Sequence, residues 1–200
     1  MKLYHTPGAC SLAPHIALRE SGSEFELVRV DLKAKQLKDG SDYLTINAKG
    51  AVPALSFDNG EVLTENATIL QYIADQSGSQ DLLEPTGLRR YRVLEWVTFV
   101  STELHKGFGP LWNPATPEDA KAAARGVLGK KFDFVQLQLG RGPYLTGENF
   151  TIADAYLFTV LRWTEIHDID LSRWPGLVAY QQRVAARPKV REALAAGGFE

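Results

Sequence analysis

The 200-residue sequence predicts a small mixed α/β unit followed by a larger all-helical one. Three observations carry that reading. The first 76 residues alternate strand-like and helix-like patterns. Residues 77–87 are a run of turn formers without periodicity. Everything beyond them has helical spacing, with no competing strand signal.

Lys2-Leu3-Tyr4 is expected as a first strand, and Leu12 to Glu20 as a helix with Leu12, Ile16 and Ala17 on its apolar side. Glu26 to Val30 alternates as a strand does. Ala54 to Phe57 and Glu61 to Leu63 flank Asp58-Asn59-Gly60, which predicts a hairpin, because Asn-Gly supplies the positive φ angles of a tight reversing turn. A helix is expected from Glu65 to Gln76. The turn-rich segment reads as a linker, which places one domain at 1–80 and a second at 87–200, with 81–86 between them. Helices are expected at 88–108, 117–139, 152–164, 177–186 and 188–196, with Pro117 and Pro188 at openings where a missing N–H costs nothing. Thr151-Ile152-Ala153-Asp154 has capping-box spacing, so losing Asp154 is expected to cost about 1 kcal/mol.

Composition narrows the function classes. With 44% hydrophobic and 23% charged residues the chain is ordinary for a globular protein, and 22 basic against 24 acidic residues leave a net charge of −2. Such a balance has no global field to recruit nucleic acid or an anionic membrane. No apolar run approaches the roughly 18 residues of a membrane span. His5, Pro7 and Gly8 interrupt any secretory h-region, so the terminus reads as mature sequence and a soluble, cytoplasmic protein is expected. The single cysteine, Cys10, excludes an intramolecular disulfide.

Cys10 follows Pro7-Gly8-Ala9 and precedes a helix expected from near Ser11. A thiol there faces the helix dipole and free N–H donors, which favour the thiolate and predict a lowered pKa. Ala13 stands where a Cys-x-x-Cys motif would carry its resolving thiol, so a dithiol cycle is excluded while a mixed disulfide with a small thiol is allowed. A lone cysteine is more often a small buried hydrophobe; the glycine-bearing loop before a helix favours the reactive reading here. Pro53, directly before a strand, requires a turn or edge position. Cis occurs at only about 5–6% of X-Pro bonds in folded proteins, so on frequency alone Val52-Pro53 is expected trans.

Glu65 and Asn66 open a helix and offer a carboxylate beside amide donors, a pair that suits the ammonium and carboxylate of an α-amino acid. Ordinary capping is the commoner explanation of either residue alone. Farther on, Val97, Val100, Leu104 and Phe108 form a core stripe. Thr98, Thr102 and His105 form a polar stripe beside it, either a cleft wall or a solvated face. Phe108, Leu111, Trp112 and Trp163 are candidates to line an apolar pocket, although for each a place in the core is at least as frequent.

These segments together resemble the bacterial beta-class glutathione transferases over essentially the whole length. The resemblance is carried by Met1-Lys2-Leu3-Tyr4 through Pro7-Gly8-Ala9-Cys10-Ser11, by Gly50-Ala51-Val52-Pro53-Ala54-Leu55 and by Leu63-Thr64-Glu65-Asn66-Ala67-Thr68-Ile69. Glu103-Leu104-His105-Lys106 and Thr151-Ile152-Ala153-Asp154-Ala155 extend it. It implies a thioredoxin-like N-terminal domain, a helical-bundle C-terminal domain, a homodimer, glutathione as co-substrate without a metal, and a role in detoxification. By resemblance, Cys10 would face the glutathione sulfur with Ser11 and His105 as further donors, and Cys10 could form a mixed disulfide. Val52, before a cis Pro53, would pair its backbone with the tripeptide. Glu65 and Asn66 would hold the γ-glutamyl end, Lys35 the glycyl carboxylate, and Thr98 and Thr102 would reach glutathione from the helical domain or the partner subunit. The family more often has serine at the place of Asn66, asparagine at Thr98 and a longer, sometimes basic side chain at Thr102. The expected reaction joins glutathione to a small hydrophobic electrophile. Thiol transfer or reductive dehalogenation through Cys10 is one alternative, and a non-catalytic interaction module on the same scaffold is the other.

Overall fold

A computed structural model describes residues 1–79 and 81–198. Gln80, the last residue of the expected first domain, and the last two residues of the expected second domain lie outside the described residues. The first half is a five-stranded mixed sheet of order β3-β2-β1-β4-β5, with β1 Lys2–His5, β2 Glu26–Asp31, β3 Gln36–Leu37, β4 Ala54–Ser56 and β5 Val62–Thr64. β1 runs parallel to β2 and antiparallel to β4, because α1 (Leu12–Glu20) provides the crossover that a parallel pair needs. This is the thioredoxin-like arrangement, with a helical domain following it.

Two local expectations change. Only Gly60 in the hairpin turn has a positive φ (+86°), and its N–H donates to the Phe57 carbonyl. The turn is therefore a tight bend closed by a left-handed glycine, not a two-residue loop with both angles positive. Helix α1 is buried from Leu12 through Leu18, His15 included, instead of presenting one apolar side. The reason is its position: it contacts β-sheet-side α2 (Asn66–Ser77) as well as α6 (Ile152–Leu161) and α9 (Pro188–Gly197) of the helical half. The short β3 and the 3-10 turn at Tyr43–Thr45 carry too few residues to show a period.

The segment joining the halves is more than a solvated linker. Leu82 and Leu83 are buried, and the Leu82 carbonyl accepts from the Ile152 N–H. The expected helix at 88–108 divides into α3 (Gly87–Phe99), a π-turn (Val100–His105) and a 3-10 turn (Lys106–Phe108), leading into α4 (Gly109–Trp112). Its core stripe holds throughout, with Val97, Val100, Leu104 and Phe108 all buried. Next come α5 (Glu118–Leu139), α6, α7 (Trp163–Ile166), α8 (Pro175–Ala185) and α9. All of α6 is buried, and Asp154 closes its capping box by accepting from the Thr151 N–H and hydroxyl, both at 2.9 Å. Among the described residues no helix is long and apolar enough to cross a membrane.

Candidate active site

Where the sheet meets the helical half, a cavity of about 320 Å³ opens. Cys10, Val52, Pro53, Glu65, Asn66 and His105 line it, together with Asn47, Lys49, Ser101, Lys106 and Tyr156. A separate groove of about 540 Å³, between α3 and residues 144–149, has three arginines but neither a thiol nor an imidazole on its walls.

The Cys10 loop is held from both sides. Gly8, at φ +78°, turns the chain where a side chain would be strained, and its carbonyl accepts from Trp163 Nε1 at 2.8 Å across the domain junction. Ser11 is fully buried and does not reach the cavity: its hydroxyl sits 3.4 Å from the Thr6 carbonyl and accepts from the Thr6 N–H at 3.2 Å.

The expected low thiol pKa is overturned. Ser11 is the N-cap, so Cys10 lies outside the helix proper, where the dipole contributes less than about 1 kcal/mol. Burial works the other way and is larger, pushing the thiol up to about 12. The thiol donates instead to the Val52 carbonyl at 3.4 Å.

The Val52-Pro53 bond is cis, as the resemblance implies and against the frequency expectation. The loop before it is braced by Tyr43 Oη and Asn47 Nδ2, which donate to the Ala51 carbonyl at 2.8 and 2.7 Å. Lys35 is placed on this brace and not on the cavity wall, its ammonium donating to the Gly50 carbonyl at 2.7 Å.

At the opposite wall Glu65 holds a positive φ (+71°), a costly conformation for a non-glycine residue that is found at functional sites. Its carboxylate pairs with Lys49 at 2.6 Å. Asn66 donates to the Cys10 carbonyl at 3.3 Å. Its own Oδ1 is buried without a partner among the described residues.

From the helical half, His105 enters with Nδ1 2.7 Å from the Tyr156 hydroxyl and its ring against Trp163, 4.8 Å between centroids. Burial, with Lys106 adding to it, pulls the imidazole down to about 4, so it is neutral near pH 7. Burial likewise pushes the Tyr156 phenol up to about 12. The polar stripe does not survive as a unit. The π-turn changes the residue spacing per turn, so His105 shares the cavity with Ser101, while Thr98 and Thr102 are exposed and Thr102 donates to the Thr98 carbonyl.

Of the apolar candidates, Phe108, Leu111 and Trp163 are buried, and only Trp112 is substantially exposed, at 45%. Trp112 stands edge-on to Trp163 at 5.5 Å and to His167 at 4.3 Å. Sequence reasoning did not reach Tyr156, Ser101, Lys49 or Asn47. A signal existed for Tyr156, since a phenol on a mostly apolar helix usually finds a buried partner.

The chain matches the family descriptions "Glutathione S-transferase, N-terminal domain" over residues 1–75 and "Glutathione S-transferase, C-terminal domain" over residues 99–188. It is 49% identical over 201 residues to glutathione S-transferase GstA of Escherichia coli O157:H7, covering all of both chains. Among solved structures, a sphingomonad glutathione S-transferase complexed with glutathione superimposes with a TM-score of 0.95 at 46% identity. The bacterial beta-class enzyme of Sphingomonas chungbukensis does so with 0.95 at 45%; both comparisons cover the whole of each chain. Matched in both halves, and along its full length to a named member, the chain belongs to the glutathione S-transferase family.

Proposed function

We propose that this protein binds glutathione in the 320 Å³ cavity and conjugates its thiol to a small hydrophobic electrophile, working as a homodimer. The observation that carries the reading is the convergence of Cys10, Val52, Glu65, Asn66 and His105, from separate stretches of chain, on one cavity. In this reading residues 1–80 hold the tripeptide and 87–200 shape the electrophile side.

Glu65 takes the γ-glutamyl ammonium, and Asn66, at the start of α2, takes its carboxylate. The backbone of Val52 pairs with the cysteinyl residue. Lys35 is assigned the glycyl carboxylate, one residue pair away from Ala51 on the cavity wall. Only the thiolate of glutathione is nucleophilic, so donors near its sulfur accelerate the reaction by lowering its pKa. His105 is one of those donors, and Cys10 S–H is the other once it turns from the Val52 carbonyl. The electrophile is assigned to the exposed Trp112, which stands against Trp163 with Phe108 packed on the latter at 5.5 Å; these three and the buried Leu111 lie outside the cavity wall itself. Exposed Leu88 and Tyr91 on α3 and Phe134 and Leu137 on α5 support a self-association face, and exposed Thr98 and Thr102 lie farther along the α3 segment.

A covalent relay through Cys10 needs a thiolate, which burial opposes, so conjugation is favoured over thiol transfer. The sphingomonad relative complexed with glutathione supports the ligand assignment. Initial rates with glutathione and 1-chloro-2,4-dinitrobenzene test it. Turnover well above the spontaneous rate, retained in part by Cys10→Ala, is expected; no acceleration with this or other activated aryl halides and enones contradicts it.

A further inference from the structure

The short contact between His105 and Tyr156 has a direction. The two atoms lie 2.7 Å apart, and which of them donates is set by the imidazole tautomer; the Ser101 and Asn66 side chains also bond to the phenol and favour its charged form, so its oxygen accepts from them and its proton is left for the imidazole. The imidazole is neutral, so one of its nitrogens is an acceptor and the other carries the proton. Its surroundings leave little freedom to rotate: Trp163 packs against the ring at 4.8 Å, and Trp163 is itself tied to the Gly8 carbonyl of the Cys10 loop at 2.8 Å. Tyr156 is buried within α6, whose N-terminus is fixed by the Asp154 box, so the hydroxyl is presented by a rigid element.

We propose that Tyr156 is a positioning residue: its hydroxyl donates to His105 Nδ1, fixing the tautomer that carries its proton on Nε2 and reserving that N–H for the sulfur of a thiol bound in the cavity. A neutral imidazole held this way is a permanent donor, and the protein need not protonate it at neutral pH. Tyr156 touches neither reacting atom in this arrangement and acts through His105. The inference rests on the glutathione reading above for what the N–H serves, but not for the tautomer itself.

Long-range ¹H–¹⁵N NMR of the ligand-free protein reads the tautomer directly. An Nε2–H imidazole with an unprotonated Nδ1 at pH 7 is expected, and an Nδ1–H form overturns the proposal whatever the protein binds. Kinetics read the consequence. Tyr156→Phe is expected to lower kcat/KM for glutathione about tenfold, the scale of one hydrogen bond to a charged group, and to raise the apparent pKa in the pH–rate profile. In a His105→Ala background the same change is expected to have no further effect. An equal loss in both backgrounds means that Tyr156 serves only the fold, and overturns the proposal. If Tyr156→Phe does not fold, the wild-type tautomer decides. Should calorimetry detect no glutathione binding, the functional reading fails separately, and the NMR result still stands or falls alone.

Discussion

Replacing Asp154 by alanine removes far more than a helix cap. In sequence the Thr151/Asp154 spacing accounts for about 1 kcal/mol. In the structure the carboxylate is fully buried and accepts four bonds: from the Thr151 N–H and hydroxyl at 2.9 Å, from the Leu145 N–H at 3.0 Å and from the Tyr180 hydroxyl at 3.1 Å. Alanine leaves the Leu145 N–H stranded in the core, at about 1–3 kcal/mol, in addition to the lost cap, whereas the Tyr180 hydroxyl keeps the main-chain carbonyl of residue 154 at 3.1 Å. Part of this is returned, because burial pushes the Asp154 carboxyl up and alanine relieves that strain on the charge. The net expectation is a loss of about 2–3 kcal/mol, or about 4–12 °C in Tm for a chain of this size. Urea and thermal unfolding, followed by tryptophan fluorescence at one fixed chain concentration, measure it, with Thr151→Ala as the cap-only comparison. A loss of 1 kcal/mol or less on that ~1 kcal/mol cap scale for Asp154→Ala refutes the reasoning.

Stability should also fall with acid. Burial holds His15 and His105 down to about 4, so the unfolded chain takes up protons first. Their contribution is complete above about pH 6.5 and is lost as pH falls toward 4, with a slope approaching about 1.4 kcal/mol per pH unit for each imidazole. Urea midpoints that do not change between pH 4.5 and 7 contradict this. Cys10, with its thiol pushed up to about 12, should react with iodoacetamide at pH 7.5 much more slowly than free cysteine; labelling as fast as the free thiol argues against the burial account. Glu65→Gln removes the charge assigned to the γ-glutamyl ammonium and should raise KM for glutathione about tenfold with a smaller change in kcat. An unchanged KM removes Glu65 from the site.

What sequence could show follows from how local each feature is. The strands β1, β2, β4 and β5, the hairpin and the capping box depend on neighbours within a few residues, and they are in place, whereas the sheet order joins β1 to strands more than 20 residues away and has no local signal. The π-turn at Val100–His105 has no such local signature, and it decides that Ser101, not Thr102, accompanies His105. The raised thiol pKa is not legible in sequence, because a position before a helix is visible there, whereas the burial that raises it exists only once the chain has folded. Tyr156 was missed for the same reason: its partner lies 51 residues distant. Lys49 and Glu65, 16 residues apart, meet only once the hairpin has brought its two ends together.

The central claim, that one cavity between the two halves binds glutathione, is tested most directly by isothermal titration of reduced glutathione into the protein. Saturable heat with one site per chain, in the micromolar to millimolar range, is the predicted result. A flat titration through millimolar glutathione contradicts it.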